Sequence, residues 1–338
     1  MIDNMDANIF KKKPSISIVV PLYNKVQSIS RALDSILSQT IEDFEVIVVN
    51  DGSTDGSERV VETYSDPRVI LISQTNQGVS VARNNGILSA HSDIIAFLDA
   101  DDQWDSNFLE TIMDLHKKWP SAGLYGAAYR VITTGGKVYN RIYSQFQEPS
   151  LVENYFFVKN KVRWMLISTS GMAISRQAFI DSGGFPIGYN TGEDEFLRAK
   201  IALSHTIAYS PVVCSTYYVE SLNSQQSNDI TSNPFADYID SQLDGALSCR
   251  QDYKDILLFN DRAIIHNVFN NFLNVDISAD VIVKQLYRIK SKEKLFVKYS
   301  LIVMAYFPLN IRKSVVYLHH QFQNLYRILF RKNNHNGD

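Results

Sequence analysis

Short apolar runs, each closing on a polar or acidic cluster and each followed by a stretch of helical period, recur through the first hundred residues. That alternation constrains the fold more than any single motif. Residues 16–20 (Ile-Ser-Ile-Val-Val) read as a strand ended by Pro21, and residues 26–38 as a helix with the apolar stripe Ile29, Leu33, Ile36 and Leu37. Residues 44–49 form a second apolar run. It is stopped by Asn50-Asp51-Gly52-Ser53-Thr54-Asp55-Gly56, a turn signal that opens a further helix. Residues 69–72 predict a third strand, 78–90 a helix, and 94–98 a fourth strand buried on both faces. Strands alternating with helices imply right-handed crossovers and an α/β fold, a mainly parallel sheet flanked by helices. Its ligand belongs at the carboxyl ends of the strands.

Asn24, Asp51 and the run from Asp99 to Asp102 all fall at that edge. Three carboxylates, Asp99, Asp101 and Asp102, crowded at the end of one apolar strand repel one another and are costly without a cation. Hard oxygen ligands suit Mg²⁺ or Mn²⁺, which keep waters and take substrate phosphates as remaining ligands. A solvated acidic turn before a helix starting near Trp104 is the plainer alternative. Neither G-x-G-x-x-G after the first strand nor G-x-x-x-x-G-K-[ST] is present. The first turn is instead Pro21-Leu22-Tyr23-Asn24-Lys25, in which proline fixes the chain direction and Tyr23 offers a ring face to a base. Asp51 suits a hydrogen bond from a ring N–H such as that of uracil. Singly, Tyr23 reads equally as packing and Asp51 as a turn former or helix cap; together they predict a nucleotide. A second acidic pair, Glu193-Asp194, lies far along the chain.

The strings SIVVPLYNK, FEVIVVNDGSTDGS, NQGVSVARNNGI and IIAFLDADD, followed by ISTSGMAISRQAFIDSGGFP and TGEDEFLRAKI, resemble the successive signatures of the family 2 glycosyltransferases of the GT-A fold. The likeness covers residues 15–218 in the family's order. It implies inverting transfer of a sugar from a nucleotide donor, commonly a UDP-sugar, with a divalent metal. It implies Pro21, Tyr23, Asn24 and Asp51 at the donor nucleotide, Asp99 near the ribose and the metal's waters, and Asp101 or Asp102 on a metal bridging the diphosphate. A departing nucleoside diphosphate gathers negative charge, and a cation at the strand end stabilises it. The acceptor hydroxyl must lose a proton as it attacks, and a carboxylate with a raised pKa suits that task. The family's equivalent base is Asp194, with Glu193 orienting the loop or touching the acceptor. Both also suit the first turn of a helix.

Weaker readings attach to other residues. Gly184, within Gly183-Gly184-Phe185-Pro186, either shapes the acceptor pocket or only connects elements. Trp164, before a strand-like stretch 165–168, stacks on a sugar or packs in the core. Arg83 is expected to anchor loops through a buried ion pair. His205 is expected to be a satisfied packing residue, and His91 and His116 surface helix positions. Many relatives carry a His or Arg just after the position of Tyr218, where Val219-Glu220-Ser221-Leu222-Asn223-Ser224 offers no cation.

Charge separates the two ends of the chain. Residues 281–338 hold 11 Lys and Arg against Glu293 and Asp338, a net +9; the total of −3 leaves −12 for residues 1–280. An acidic body argues against nucleic acid as a partner, and a basic tail suggests an anionic surface. Helical spacing at Ile264, Val268, Phe269 and Phe272 predicts a mostly helical C-terminal extension. Basic amphipathic helices lie on anionic membranes; a helical appendage packed on the body is the alternative. Two isolated cysteines, Cys214 and Cys249, fit neither a disulfide framework nor a zinc site and suggest a reducing compartment. Residues 1–13 lack an apolar signal core, and no stretch is long enough to span a bilayer. The expected organisation is an N-terminal tail (1–14), a GT-A domain (15–220) and a helical, basic extension (221–338). The expected setting is cytoplasmic, peripheral on the inner face of the plasma membrane, with a glycan or lipid-linked glycan of a surface or capsular polysaccharide as acceptor. A sugar nucleotidyltransferase shares the strand-end architecture, but residues 21–28 lack its Gly- and Arg-bearing first loop. A degenerate nucleotide-sugar-binding module is the non-enzymatic alternative.

Overall fold

Branched residues dominate the apolar runs, and in the computed structural model they form strands in a single mixed sheet. The structure describes residues 13–306 apart from 163, 190–191, 220–233, 243–245, 272–277 and 292–293. The chain divides into two compact units, residues 1–226 and 227–338.

In the first unit β1 (Ile16–Leu22), β2 (Phe44–Asp51), β3 (Val69–Gln74) and β4 (Ile94–Phe97) are all parallel, in the spatial order β3-β2-β1-β4. Helices α1 (Ile29–Leu37), α2 (Ser57–Glu62) and α3 (Val79–Ser89) make the crossovers. Helix α3 lies close against the sheet at Gly86, where a Cβ would stand 2.5 Å from Val19 Cγ1. The parallel register pairs Leu22 with Asn50, so the loop after β1 opens beside Asp51. It also pairs Val19 with Phe97, which brings Asp99 level with Pro21.

The chain then continues through β5 (Gln103–Trp104), α4 (Phe108–Lys118), β6 (Leu124–Ile132), β7 (Val138–Arg141), β8 (Ser150–Val152) and α5 (Tyr155–Lys161). After these come β9 (Met172–Ser175), α6 (Arg176–Ser182), α7 (Glu193–Ser204) and β10 (Ile207–Tyr218). Strand β9 inserts antiparallel between β4 and β6, pairing Ile95 with Ile174 and Tyr125 with Ala173. Because β9 runs opposite to β4, the single 3₁₀ turn leading into it, Thr169–Gly171, arrives at the carboxyl end of β4. Strand β10 runs parallel to β6 and antiparallel to β5, pairing Thr216 with Gln103, so its last residues also reach that edge.

Three local expectations change. Helix α1 begins at Ile29 rather than at residue 26, because the backbone of residues 24–26 is tied to the loop after β2. No helix starts at Trp104: Gln103–Trp104 pairs with β10, and α4 begins at Phe108. Residues 165–168 are not a strand.

The second unit is helical: α8 (Pro234–Gln242), α9 (Tyr253–Asn271), α10 (Ala279–Tyr287) and α11 (Leu295–Ala305). Ala236, Ile264, Val268, Ile282, Leu286, Ile289, Leu301 and Ala305 form its core. Among the described residues no helix is long and apolar enough to cross a membrane. Phe272 and the tail from 307 onward lie outside the described residues.

Candidate active site

Side-chain oxygens, rather than backbone pairing, hold the loops at the sheet's carboxyl edge. Asn24 adopts a left-handed φ of 52°, tolerable for asparagine, and its Oδ1 accepts from Thr54 N at 2.8 Å. Ser53 Oγ, Ser57 Oγ and Asp55 Oδ2 accept from the backbone N–H groups of Asn24, Lys25 and Val26. Asp51 is buried, and its carboxylate gathers the next turn: Oδ1 accepts from Gln74 Nε2 (2.7 Å) and Gln77 N (2.8 Å), Oδ2 from Gly78 N (2.9 Å). Tyr23 stays exposed at the rim, beyond Pro21.

The first acidic cluster follows β4. Asp101 Oδ2 pairs with Lys25 Nζ at 2.5 Å, and the Arg31 guanidinium donates to the Asp101 carbonyl while stacking 3.9 Å from the Tyr218 ring. Asp102 is buried; Oδ2 accepts from Ser170 Oγ at 2.5 Å and Oδ1 from Tyr218 N at 3.1 Å. Burial first, then the charges of Asp99 and Asp101, push its carboxyl well above the usual carboxylate range. Among the described residues, no group of three or more His, Cys, Asp or Glu side chains is arranged to hold a metal ion by itself. The donor set nonetheless fits a hard cation: burial and the neighbouring charges of Asp99 and Asp101 disfavour a charged Asp102, a cost such an ion would relieve, and its other ligands would come from a diphosphate.

The second cluster opens α7. Glu193 and Asp194 sit in its first turn behind Gly192, which takes a φ of +79°. Arg83 from α3 joins the two clusters. Its side chain is 5% exposed, and it donates to Asp99 Oδ1 at 2.7 Å and to Glu193 Oε1 at 3.0 Å. The consecutive residues Thr169 and Ser170 make a second link: Thr169 Oγ1 donates to Asp194 Oδ2 at 3.0 Å while Ser170 Oγ donates to Asp102. Tyr217, at the end of β10, feels both clusters. Burial first, and then Asp102, Asp101, Asp99 and Asp194, raise its phenol.

Similar proteins give this edge a context. The sequence signature described as "Glycosyl transferase family 2" matches residues 17–183. The chain belongs to that family. One relative is the Escherichia coli UDP-Glc:alpha-D-GlcNAc-diphosphoundecaprenol beta-1,3-glucosyltransferase WfgD. It is 33% identical over 146 residues, covering 43% of this chain and 55% of WfgD. The Staphylococcus aureus TarS 1–349 structure in complex with UDP-GlcNAc aligns at a TM-score of 0.55 and 19% identity, covering 81% of this chain and 72% of that one. The mannosyltransferase PcManGT from Pyrobaculum calidifontis, in complex with GDP-Man and Mn²⁺, aligns at 0.55 and 19%, covering 93% and 88%. These likenesses show the GT-A fold. The chain spans from 29% to 51% of the length of the first curated relatives it matches.

Within this family 2 domain the two carboxyls of the Glu193-Asp194 pair diverge. Burial and the Asp194 charge push Glu193 up, against the pull of Arg83. Burial also acts to raise Asp194, but Arg198, Arg83 and Thr169 outweigh it and hold the group at about 2. The expectation of a raised carboxyl at Asp194 is therefore corrected: Arg198, buried one helical turn on, places Nη2 2.9 Å from Asp194 Oδ2.

Other predicted residues take ordinary places. Gly183 caps α6 in a left-handed conformation, and Gly184 follows it: its N–H donates to Phe179 O, its φ is +78°, and a Cβ there would meet Phe179 Cε2 at 2.8 Å. Phe185, on the same turn, is buried against Phe97 and Arg83. Trp164 is half-buried with the Arg141 guanidinium 5.0 Å over its ring. Arg83 is the expected buried anchor, and His205 the expected satisfied one, paired with Asp181 at 2.9 Å. His116 is half-buried against Tyr125, and His91 follows α3 and contacts the buried Glu45, so neither is a plain surface helix position. Lys25 and Arg31 are basic groups at the acidic loop that sequence reasoning missed, along with Thr169, Ser170, Tyr217 and Arg198. Residues 220–224 lie outside the described residues.

Proposed function

We propose that this chain transfers a sugar from a UDP-sugar to a hydroxyl of a glycan acceptor with inversion at the anomeric carbon. One observation carries the reading: buried Arg83 binds Asp99 and Glu193 together, so the carboxylates assigned here to donor and acceptor meet on one guanidinium. Tyr23 and Asp51 take the base. The Asp51 carboxylate has one acceptor position left on Oδ2 beyond its three donors, enough for a ring N–H. Asp99 takes the ribose. Asp101 and Asp102 would hold Mn²⁺ or Mg²⁺, and a cation there would supply charge stabilisation to the departing diphosphate. Lys25, displaced from Asp101, stands where the diphosphate needs a cation, replacing the basic residue missing after Tyr218. Asp194 accepts the proton of the attacking hydroxyl: against burial, Arg198, Arg83 and Thr169 favour its charged form, so its fitness as the base lies in being ionised and held in place rather than in a raised pKa. Glu193 orients that turn through Arg83. The UDP preference draws support from the names of WfgD and the TarS complex, since PcManGT holds GDP-Man.

The acceptor is a lipid-linked glycan at the inner face of a membrane. The net +9 of residues 281–338 supports this, as do the exposed Tyr299 and Val303 on α11 and Tyr306 just past its end. The test of the catalytic reading is whether Asp194→Asn keeps UDP affinity with Mn²⁺ while losing transfer.

A further inference from the structure

Each oxygen of a carboxylate offers two acceptor positions. Asp194 Oδ2 has both filled, by Arg198 Nη2 at 2.9 Å and Thr169 Oγ1 at 3.0 Å. Oδ1 receives only the backbone N–H of Glu195, at 2.6 Å, and keeps one position open. The clamp is rigid. Arg198 is 1% exposed, and the same Nη2 lies 3.4 Å from Glu195 Oε2 and 3.8 Å from Met165 Sδ. Glu195 is itself fixed by Tyr155 Oη at 2.8 Å and Lys159 Nζ at 3.4 Å, both from α5. Thr169 is buried in the turn whose next residue grips Asp102. The two sides of the cleft are thus aligned by one dipeptide.

We propose that Arg198 and Thr169 are positioning residues that saturate Oδ2 of Asp194, so that Oδ1 is the atom that takes the acceptor's proton. The acceptor O–H bond breaks toward Oδ1 as its oxygen bonds the anomeric carbon, and the sugar–phosphate bond releases the nucleoside diphosphate. This inference rests on the proposed function and deepens it. Asp194 is faced by Glu193, Glu195 and Arg198 on its own helix, Arg83 on α3, Thr169 on the turn before β9 and Tyr217 on β10. Losing one oxygen's donor therefore leaves the buried cations in place, and the carboxylate remains charged but turns.

Thr169→Val removes a single hydroxyl at nearly constant volume, Thr169→Ser restores it, and Arg198→Lys keeps the charge but withdraws the Nη2 donor from Oδ2. With the UDP-sugar that supports turnover, Thr169→Val should lower kcat by roughly 10–100-fold, the scale of a misplaced catalytic group. UDP affinity should stay within about twofold, and Thr169→Ser should recover most of the rate, because only the hydroxyl's donor role is at stake. Carbon NMR of the Asp194 carboxyl, in metal-free protein, should show its pKa rising by about one unit in Thr169→Val and in Arg198→Lys. A wild-type kcat and an unmoved carboxyl in Thr169→Val would overturn the clamp. So would a rate that follows Glu193→Gln alone. If the wild type transfers from no nucleotide sugar, the functional reading fails, while the NMR titration still decides whether the clamp exists.

Discussion

Replacing Arg83 by methionine removes the buried cation that two half-buried carboxylates share. Arg83 is 5% exposed, Glu193 13% and Asp99 27%. Deleting one partner of a buried ion pair costs about 3–5 kcal/mol, because the charge left behind keeps its desolvation penalty. Asp99, being partly solvated, moves the expectation to the lower end, about 3 kcal/mol. For a unit of this size each kcal/mol lowers the melting temperature by about 2–4 °C, so the first unit's transition should fall by about 6–12 °C at pH 7. The pH dependence has a definite sign. Glu193 already sits above its ordinary 4.5, and without Arg83 it rises further. The folded variant then binds more protons than its unfolded chain above pH 4.5, so its stability climbs as pH falls. The deficit relative to wild type should therefore be greatest at neutral pH and shrink toward pH 5. Adding Glu193→Gln to Arg83→Met should recover part of the loss. Melting curves followed by circular dichroism from pH 5 to 8 read all three effects. A deficit under about 2 °C at pH 7, or one that widens on acidification, refutes the shared-cation reasoning.

Gly184→Ala forces a left-handed φ on a side chain whose Cβ would meet Phe179 at 2.8 Å. It should lower the melting temperature by several degrees while leaving acceptor KM unchanged, since the strain costs roughly 1–2 kcal/mol; a raised KM at constant stability would assign Gly184 to the acceptor pocket instead. Tyr299→Ser and Val303→Ser on α11, with Tyr306→Ser just past its end, remove these exposed apolar side chains and should weaken co-sedimentation with phosphatidylserine vesicles several-fold. Unchanged sedimentation would leave this side of the helix no role at a membrane.

The parallel half of the sheet was legible because each apolar run is short, branched and closed by turn residues, so Asn24, Asp51 and Asp99 could be assigned to one edge from order alone. The buried anchoring of Arg83 was legible too. What joins the clusters was not. Thr169 and Ser170 reach Asp194 and Asp102 only because β9 enters antiparallel beside β4, and a reversal of strand direction leaves no periodic signal. The pKa order within Glu193-Asp194 was unreadable for a similar reason. A neighbouring carboxylate suggested that Asp194 rises, whereas one turn of helix brings Arg198 under Asp194 and lowers it, and it is Glu193 that rises. The spacing Asp194 to Arg198 is the familiar i, i+4 pair, and it was the one local signal available. The start of α1 was misjudged because serine and aspartate side chains of the loop after β2 claim the backbone amides of residues 24–26. Tyr217 was missed because its importance comes from where β10 ends, beside β5, and not from its neighbours in sequence.

The central claim is that one cleft separates donor binding from proton removal between two acidic groups. UDP affinity in Mn²⁺ and transfer rate, measured side by side for wild type and Asp194→Asn, test it most directly. The account predicts a dissociation constant within about twofold of wild type and a rate lowered by roughly 10²–10⁴, the contribution of a general base. Transfer at the wild-type rate, or a loss of UDP binding that matches the loss of transfer, would contradict it.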